Sequence, residues 1–386
     1  MKKIGIIGVG KLGLVYALTF EKFGYHVWAS SYKKEYVQVL QKKEIDSSEP
    51  GVAQMLTESK NIVFTVDNHE VINHCDIIYI MVSTPSLPSG EYDISAVLDV
   101  VQDFINHDKS VAGKILIVGS TVNPGTCVMI QQKIDPLRAH VVYSPTYAAQ
   151  GTVVQNIASP TAISFGAFDD SVAQICLDAF SPIIPQDTKI HRLHPTTAEI
   201  LKLVGNCYVT LRINFYNIMG QLLISSGLEH EIEKANQYLG EIETRKNNLK
   251  FGFGYGGPCF PRDNRSLQFF SEHIGIKNRF AEINDLVNTD HAEFLTEYFL
   301  HDNHKKLPFC FESISYKPGV KIFEESQQLR VCENLLGKGS KVVIKSSVFL
   351  DLHLVDFLKN KYPGQIELMS SSQIDKHRQL LYNIPF

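Results

Sequence analysis

The chain has 386 residues, more than one compact hydrophobic core accommodates, so two or three domains are expected. Hydrophobic residues make up 44% and charged residues 20%, a globular balance, and a net charge of −4 without a long basic block excludes nucleic acid as an expected partner. No apolar run approaches a membrane span and the first residues lack the order of a secretory signal; seven cysteines, scattered and free of any C-x-x-C pair, point to the reducing cytoplasm and to no metal site.

In chain order, residues 3–7 read as a buried strand that runs into Gly8-Val9-Gly10-Lys11-Leu12-Gly13. A helical pattern follows over 14–23, ended by Gly24, and 25–29 is a second strand. This is G-x-G-x-x-G between a strand and a helix start. Gly8 permits the tight turn, Gly10 lets a pyrophosphate approach, and Gly13 lets the helix pack on the sheet. Lys11 and Leu12 complete the loop at the helix N-terminus, where the pyrophosphate is expected. The acid that such sites carry at the end of the second strand is absent. Ser31 stands in its place, with Lys33 and Lys34 behind it. We read NAD as the cofactor, with Ser31 on the ribose, and NADP as admitted, because a hydroxyl and two cations tolerate a 2′-phosphate.

Further strands are expected at 61–66, 77–82, 115–120, 141–144 and 161–165, alternating with helices at 32–42, 94–105 and 128–134. Such alternation implies an α/β domain over residues 1–190, a Rossmann-like, doubly wound parallel sheet. The pattern then changes. From Thr196 to Ser226 there is no proline, and apolar residues recur at helical spacing on more than one face. This long helix, with helical stretches at 229–239, 266–273 and 279–299, forms a central region over 191–300, expected to dimerise through the long helix. A smaller α/β domain is expected over 301–386, with strands at 309–315, 341–344 and 366–369 and helices at 327–336 and 352–361.

Inside the central region lies Gly252-Phe253-Gly254-Tyr255-Gly256-Gly257-Pro258-Cys259-Phe260-Pro261-Arg262-Asp263. Glycines at this density suit neither helix nor strand; they suit a loop whose backbone approaches a ligand. If a helix starts near Pro261, Asp263 lies in its first turn and Cys259 just before its positive end, a place that favours a nucleophilic thiolate.

With these segments placed, the chain resembles the UDP-glucose/GDP-mannose dehydrogenase family, and within it the UDP-glucose type. The resemblance rests on Gly8 to Gly13; on Val82-Ser83-Thr84-Pro85 with Gly90-Glu91-Tyr92-Asp93; on Ser120-Thr121-Val122-Asn123-Pro124-Gly125-Thr126; on Ala198-Glu199-Ile200-Leu201-Lys202-Leu203 through Asn206; and on Phe253 to Asp263. Such enzymes oxidise the C6 alcohol of a nucleotide sugar to a carboxylate in two nicotinamide-dependent steps. The resemblance implies Cys259 as nucleophile, Asp263 as base or water holder, Lys202 and Asn206 on one helix side as holders of the oxyanion, and Thr121 at the nicotinamide end. Thr84 joins the cofactor set. Tyr147, Gln150, Phe251, Gly252, Tyr255, Gly256 and Lys317 join the substrate set with Lys202 and Asn206.

The chain departs from the family at Pro145-Thr146-Tyr147-Ala148-Ala149-Gln150-Gly151, similar to P-E-F-L-R-E-G without its glutamates. The second of those glutamates is where the family places the base that opens the thioester; Gln150 orients a water but cannot take its proton. Glu324 stands where the family has an arginine, and Phe251 where proline is frequent. Two rivals therefore stay open: a diverged nucleotide-sugar- and NAD-binding protein that does not complete the reaction, and a single-step alcohol dehydrogenase of similar plan.

Overall fold

A computed structural model describes residues 2–47, 49–147, 151–242, 251–275, 277 and 279–384. The chain forms two compact units, Met1–Leu203 and Val204–Phe386. In the first, β1 (Lys3–Ile7), α1 (Lys11–Lys22), β2 (His26–Ser30), α2 (Lys34–Lys42), α3 (Val52–Glu58) and β3 (Ile62–Thr65) lead into α4 (Asn68–His74) and β4 (Ile77–Ile80). Then come α5 (Ser95–Ile105), β5 (Ile115–Val118), α6 (Thr126–Ile134), β6 (His140–Tyr143), α7 (Val153–Ala158), β7 (Ala162–Ala167), α8 (Asp170–Phe180) and β8 (Lys189–Leu193).

The strands form one sheet in the order β3-β2-β1-β4-β5-β6-β7-β8. β1 to β6 run parallel, with Ile6 opposite Ala29 on one side and Tyr79 on the other. The order reverses between β1 and β4, and the carboxyl ends of strands at such a reversal open a ligand crevice. β5 reads Ile-Leu-Ile-Val and is buried throughout, as a central parallel strand must be. Ile115 and Ile117 join the core under α1 and α8, while Leu116 and Val118 join the core under α5 and α6. The expected parallel arrangement dominates the sheet, with one reversal at its far side. β7 pairs antiparallel to β6, and β8 then runs parallel to β7. β8 is mostly exposed and carries no apolar alternation that marks a strand.

In the second unit, α10 (Ile232–Ile242), α11 (Phe260–His273) and α12 (Phe280–Asp302) precede β9 (Phe309–Phe311), here numbered after α9 (Pro195–Ser225), the helix that begins in the first unit and ends in the second. There follow α13 (Gln327–Gly337), β10 (Val342–Lys345), α14 (Leu352–Lys361), β11 (Ile366–Met369), α15 (Ser371–His377) and β12 (Tyr382–Asn383). The sheet order is β11-β10-β9-β12, all parallel. Phe251, Leu295 and Phe299 pack with Phe311, Leu335 and Ile344, so the helices and the small sheet of this unit share one core. Among the described residues, no helix is long and apolar enough to cross a membrane.

Candidate active site

The cofactor cradle forms at the end of β1. Gly8 has φ +101, and a Cβ there would stand 2.6 Å from the Met81 backbone. Its N–H and that of Val9 donate to the Ser30 carbonyl at 3.0 and 2.8 Å, which pins the turn to β2. A Cβ on Gly13 would collide with the Gly8 carbonyl, so this glycine sets how closely α1 approaches the turn. Gly10 faces open space and caps α1 without a side-chain bond. The first amides of α1, with exposed Lys11 and half-buried Leu12, are therefore available to an anion. The cradle fits the pyrophosphate of a dinucleotide. The side chain of Ser31, at the tip of β2, is almost fully buried and accepts from the Lys33 N–H at 3.4 Å.

The Thr84 hydroxyl donates to the Thr121 carbonyl at 2.7 Å, joining the ends of β4 and β5. The loop after Thr121 enters α6, whose N-terminus is held by a residue outside the expected site. Glu199, fully buried on α9, accepts from the Gly125 N–H at 2.6 Å and the Cys127 N–H at 2.8 Å. Burial raises its carboxyl pKa, and the two amides oppose the rise. Three residues on, Lys202 is buried; its ammonium donates to the Thr146 carbonyl at 2.9 Å and lies 4.8 Å from the Tyr147 ring centre. Thr146 shares a 2.6 Å hydrogen bond with the Tyr16 hydroxyl. Gln150 lies outside the described residues.

In the second unit, α11 begins at Phe260, with Pro261 in its first turn and Cys259 as its N-terminal flank. Asp263 is 1% exposed, and its N–H donates to the Cys259 carbonyl at 2.8 Å. The Asn206 side-chain amide donates to the Asp263 carboxylate, and Arg262 stands 3.9 Å from its other oxygen. Cys259 is exposed; the other six cysteines are buried. Burial pushes the Cys75 and Cys176 thiols up to about 12 and raises those of Cys127, Cys207, Cys310 and Cys332, so none of these six is a ready nucleophile.

The glycine loop is braced from within. Phe251 and Tyr255, expected on the substrate side, are turned into the protein. The Phe251 ring packs on Gly220 and edge-on to His291. The Tyr255 hydroxyl donates to Asp285 at 2.5 Å and accepts from Asn264 at 2.9 Å; burial is the main cause of its raised pKa. Asn288 takes the Tyr255 N–H at 3.0 Å and donates to the Tyr255 carbonyl at 2.9 Å, as a neighbouring strand would. Gly252 gives its N–H to Asn217 and its carbonyl to His291. Gly256 lies against the Glu325 carbonyl, and Gly257, at φ +82, against the Tyr316 ring beside Lys317. The Gly257 N–H donates to the Glu324 carbonyl at 2.9 Å, while the Glu324 side chain is exposed. Arg265 closes the brace with two bonds to Glu325, 2.5 and 2.7 Å, the bidentate geometry that suits a guanidinium and a carboxylate.

A dinucleotide cradle at the reversal point of a doubly wound sheet, in a chain with one exposed cysteine at a helix start, defines a nicotinamide-dependent oxidoreductase. Residues 2–184 match the NAD-binding domain of the UDP-glucose/GDP-mannose dehydrogenase family, and residues 196–290 match its central domain. The chain belongs to that family and is an NAD-dependent nucleotide-sugar dehydrogenase. It is 24% identical over 355 residues to UDP-glucose 6-dehydrogenase of Pseudomonas aeruginosa, covering 88% of this chain and 78% of the relative. To UDP-glucose 6-dehydrogenase of Rickettsia felis it is 27% identical, covering 87% and 76%. The solved UDP-glucose dehydrogenase of Pyrobaculum islandicum shares the fold, with a TM-score of 0.83 at 22% identity over all of this chain and 90% of that one.

Proposed function

We propose that the chain oxidises the C6 alcohol of a UDP-hexose, UDP-glucose foremost, to the uronate through a covalent intermediate on Cys259. The observation that carries this reading is the exposed Cys259 at the head of α11, with Asp263 buried one turn on and held by Asn206. Two NAD molecules, bound in turn, would each accept one hydride, one per oxidation. Asp263, or a water it holds, takes the C6 hydroxyl proton in the first. The Cys259 thiolate then adds to the C6 aldehyde, giving a thiohemiacetal whose loss of hydride leaves a thioester. Water cleaves the C–S bond, releasing the carboxylate and the thiol. Lys202 and Asn206 stabilise the oxyanion during these steps. The test is NADH formed per sugar across UDP- and GDP-hexoses. Two per UDP-glucose is expected; one identifies an alcohol dehydrogenase, and none with tight binding identifies a non-completing binder.

That last reading has one observation in its favour. Thr146, in place of the first of the two glutamates, carries no carboxylate and its hydroxyl is committed to Tyr16, so it cannot stand in for the base that Gln150 lacks. For assembly, we read a homodimer through α9. Leu201, Val204, Tyr208, Phe215 and Leu222 are exposed at intervals of three, four and seven, a stripe that a partner helix covers. Light scattering at micromolar concentration tests it: a dimer mass is expected, and Phe215→Glu with Leu222→Glu should give a monomer. A nucleophilic thiol is kept reduced in the cytoplasm, which we take as the compartment.

A further inference from the structure

The first unit contains a cavity of about 220 Å³ between α1, α7, β7 and α8. Its floor is aromatic: Phe20, Tyr79, Phe165 and Phe180 lie buried there, with Tyr16 beside them. Its rim is exposed, with the polar Asn156, Ser159 and Thr161 and the small Ala162. Protein interiors are packed nearly as densely as organic crystals, with few voids larger than a water molecule. An apolar cavity of roughly 150 Å³ holds a benzene ring. This one has room for a substituted ring or a small bicycle.

Two features define what fits. Among the described residues no charged side chain lines the cavity, and although Tyr147 of the expected substrate set reaches its lining, the dinucleotide and a nucleotide sugar, both polyanions, do not match it. Among the hydroxyls within it, Tyr16 is bonded to Thr146 and Tyr79 to Ser144. The Thr19 hydroxyl, on a residue 1% exposed, has no hydrogen-bond partner. A buried polar group normally has one. We propose that this cavity binds a small neutral aromatic molecule carrying one hydroxyl or N–H group, which stacks among the rings and hydrogen-bonds to Thr19. The site has a route to the catalytic lysine: Tyr16 holds the Thr146 hydroxyl, and Lys202 holds the Thr146 carbonyl.

The test uses the full chain and 4-fluorophenol, followed by fluorine NMR. Saturable binding is expected, unchanged by saturating NAD or UDP-glucose, with 4-fluorobenzoate failing to bind. Thr19→Val keeps the shape and removes the hydroxyl, and should weaken binding about two- to tenfold, the worth of one neutral hydrogen bond. Ala162→Trp, at the exposed rim, should block entry without touching the core, and an unchanged melting temperature verifies the fold. The proposal is overturned by an absence of saturable binding, by equal binding of the benzoate, by displacement with NAD or UDP-glucose, or by unchanged affinity in both variants. Because the readout is binding, it stands apart from any result on turnover.

Discussion

Truncating Glu199 to alanine removes both acceptors at the N-terminus of α6. The Cys127 amide is fully buried and loses its partner; the Gly125 amide is half-buried and can recover a water. An unsatisfied buried donor costs about 1–3 kcal/mol, and with the space left behind the variant should lose about 2–4 kcal/mol. For a unit of this size each kcal/mol lowers the melting temperature by about 2–4 °C, so a fall of about 5–15 °C is expected. Glu199→Gln keeps one acceptor and should lose about half of that. NAD affinity should fall in Glu199→Ala as well, because the loop from Thr121 to Gly125 leads into this helix end.

The pH dependence gives a sharper discriminator. Burial raises the native Glu199 pKa above its ordinary 4.5. The native state therefore holds the proton more tightly than the unfolded chain does. The stabilisation is complete below the unfolded pKa and is lost as pH rises through the native one. The gap in melting temperature between wild type and Glu199→Gln should be widest near pH about 4 and narrow toward pH 7. Scanning fluorimetry across that range measures it. A Glu199→Ala melting point within about 1 °C of wild type, or a gap that widens with pH, refutes the reasoning.

Cys259→Ser should abolish acid formation and leave nucleotide-sugar affinity nearly intact, as calorimetry and product analysis can measure; full acid production would remove Cys259 from the chemistry. Ser31→Asp should weaken NADP binding more than NAD binding, because a carboxylate repels the 2′-phosphate; equal losses in a fluorescence titration would show that this position does not read the ribose. Wild type should give a burst of NADH before a slow steady rate, and Gln150→Glu should raise that steady rate, with general-base help worth at most about 10²–10⁴-fold. Rapid mixing and intact-protein mass spectrometry follow both; no burst, no adduct and no gain would mean that another group opens the thioester.

What the sequence shows of this molecule follows the range of the interactions involved. The strands β1 to β6, the turn at Gly8 and the long helix α9 are specified by residues close in the chain, and all of them could be read there. Two missed helices carried local signals as well. Asp67 and Asp169 cap α4 and α8 by accepting from His69 and Ser171, and both caps stand in the sequence as acids before helical patterns. β8 had no such signal, because an exposed strand with basic residues has no alternation to detect. The position of Cys259 before α11 follows from Pro261 and Asp263. The orientation of the loop before it does not. That orientation depends on Asn217, Asp285, Asn288 and His291, which lie dozens of residues away and carry no local mark of their role. A glycine-rich loop next to an exposed cysteine suggests contact with a ligand at every position. The observed bonds divide it differently: Phe251, Gly252 and Tyr255 face inward and fix the backbone, and this restraint is what allows Cys259 to stand exposed in a defined place. A loop with that many glycines has a large conformational entropy to lose. Its order must come from partners outside the loop, and those partners are the part of the site that one sequence cannot display.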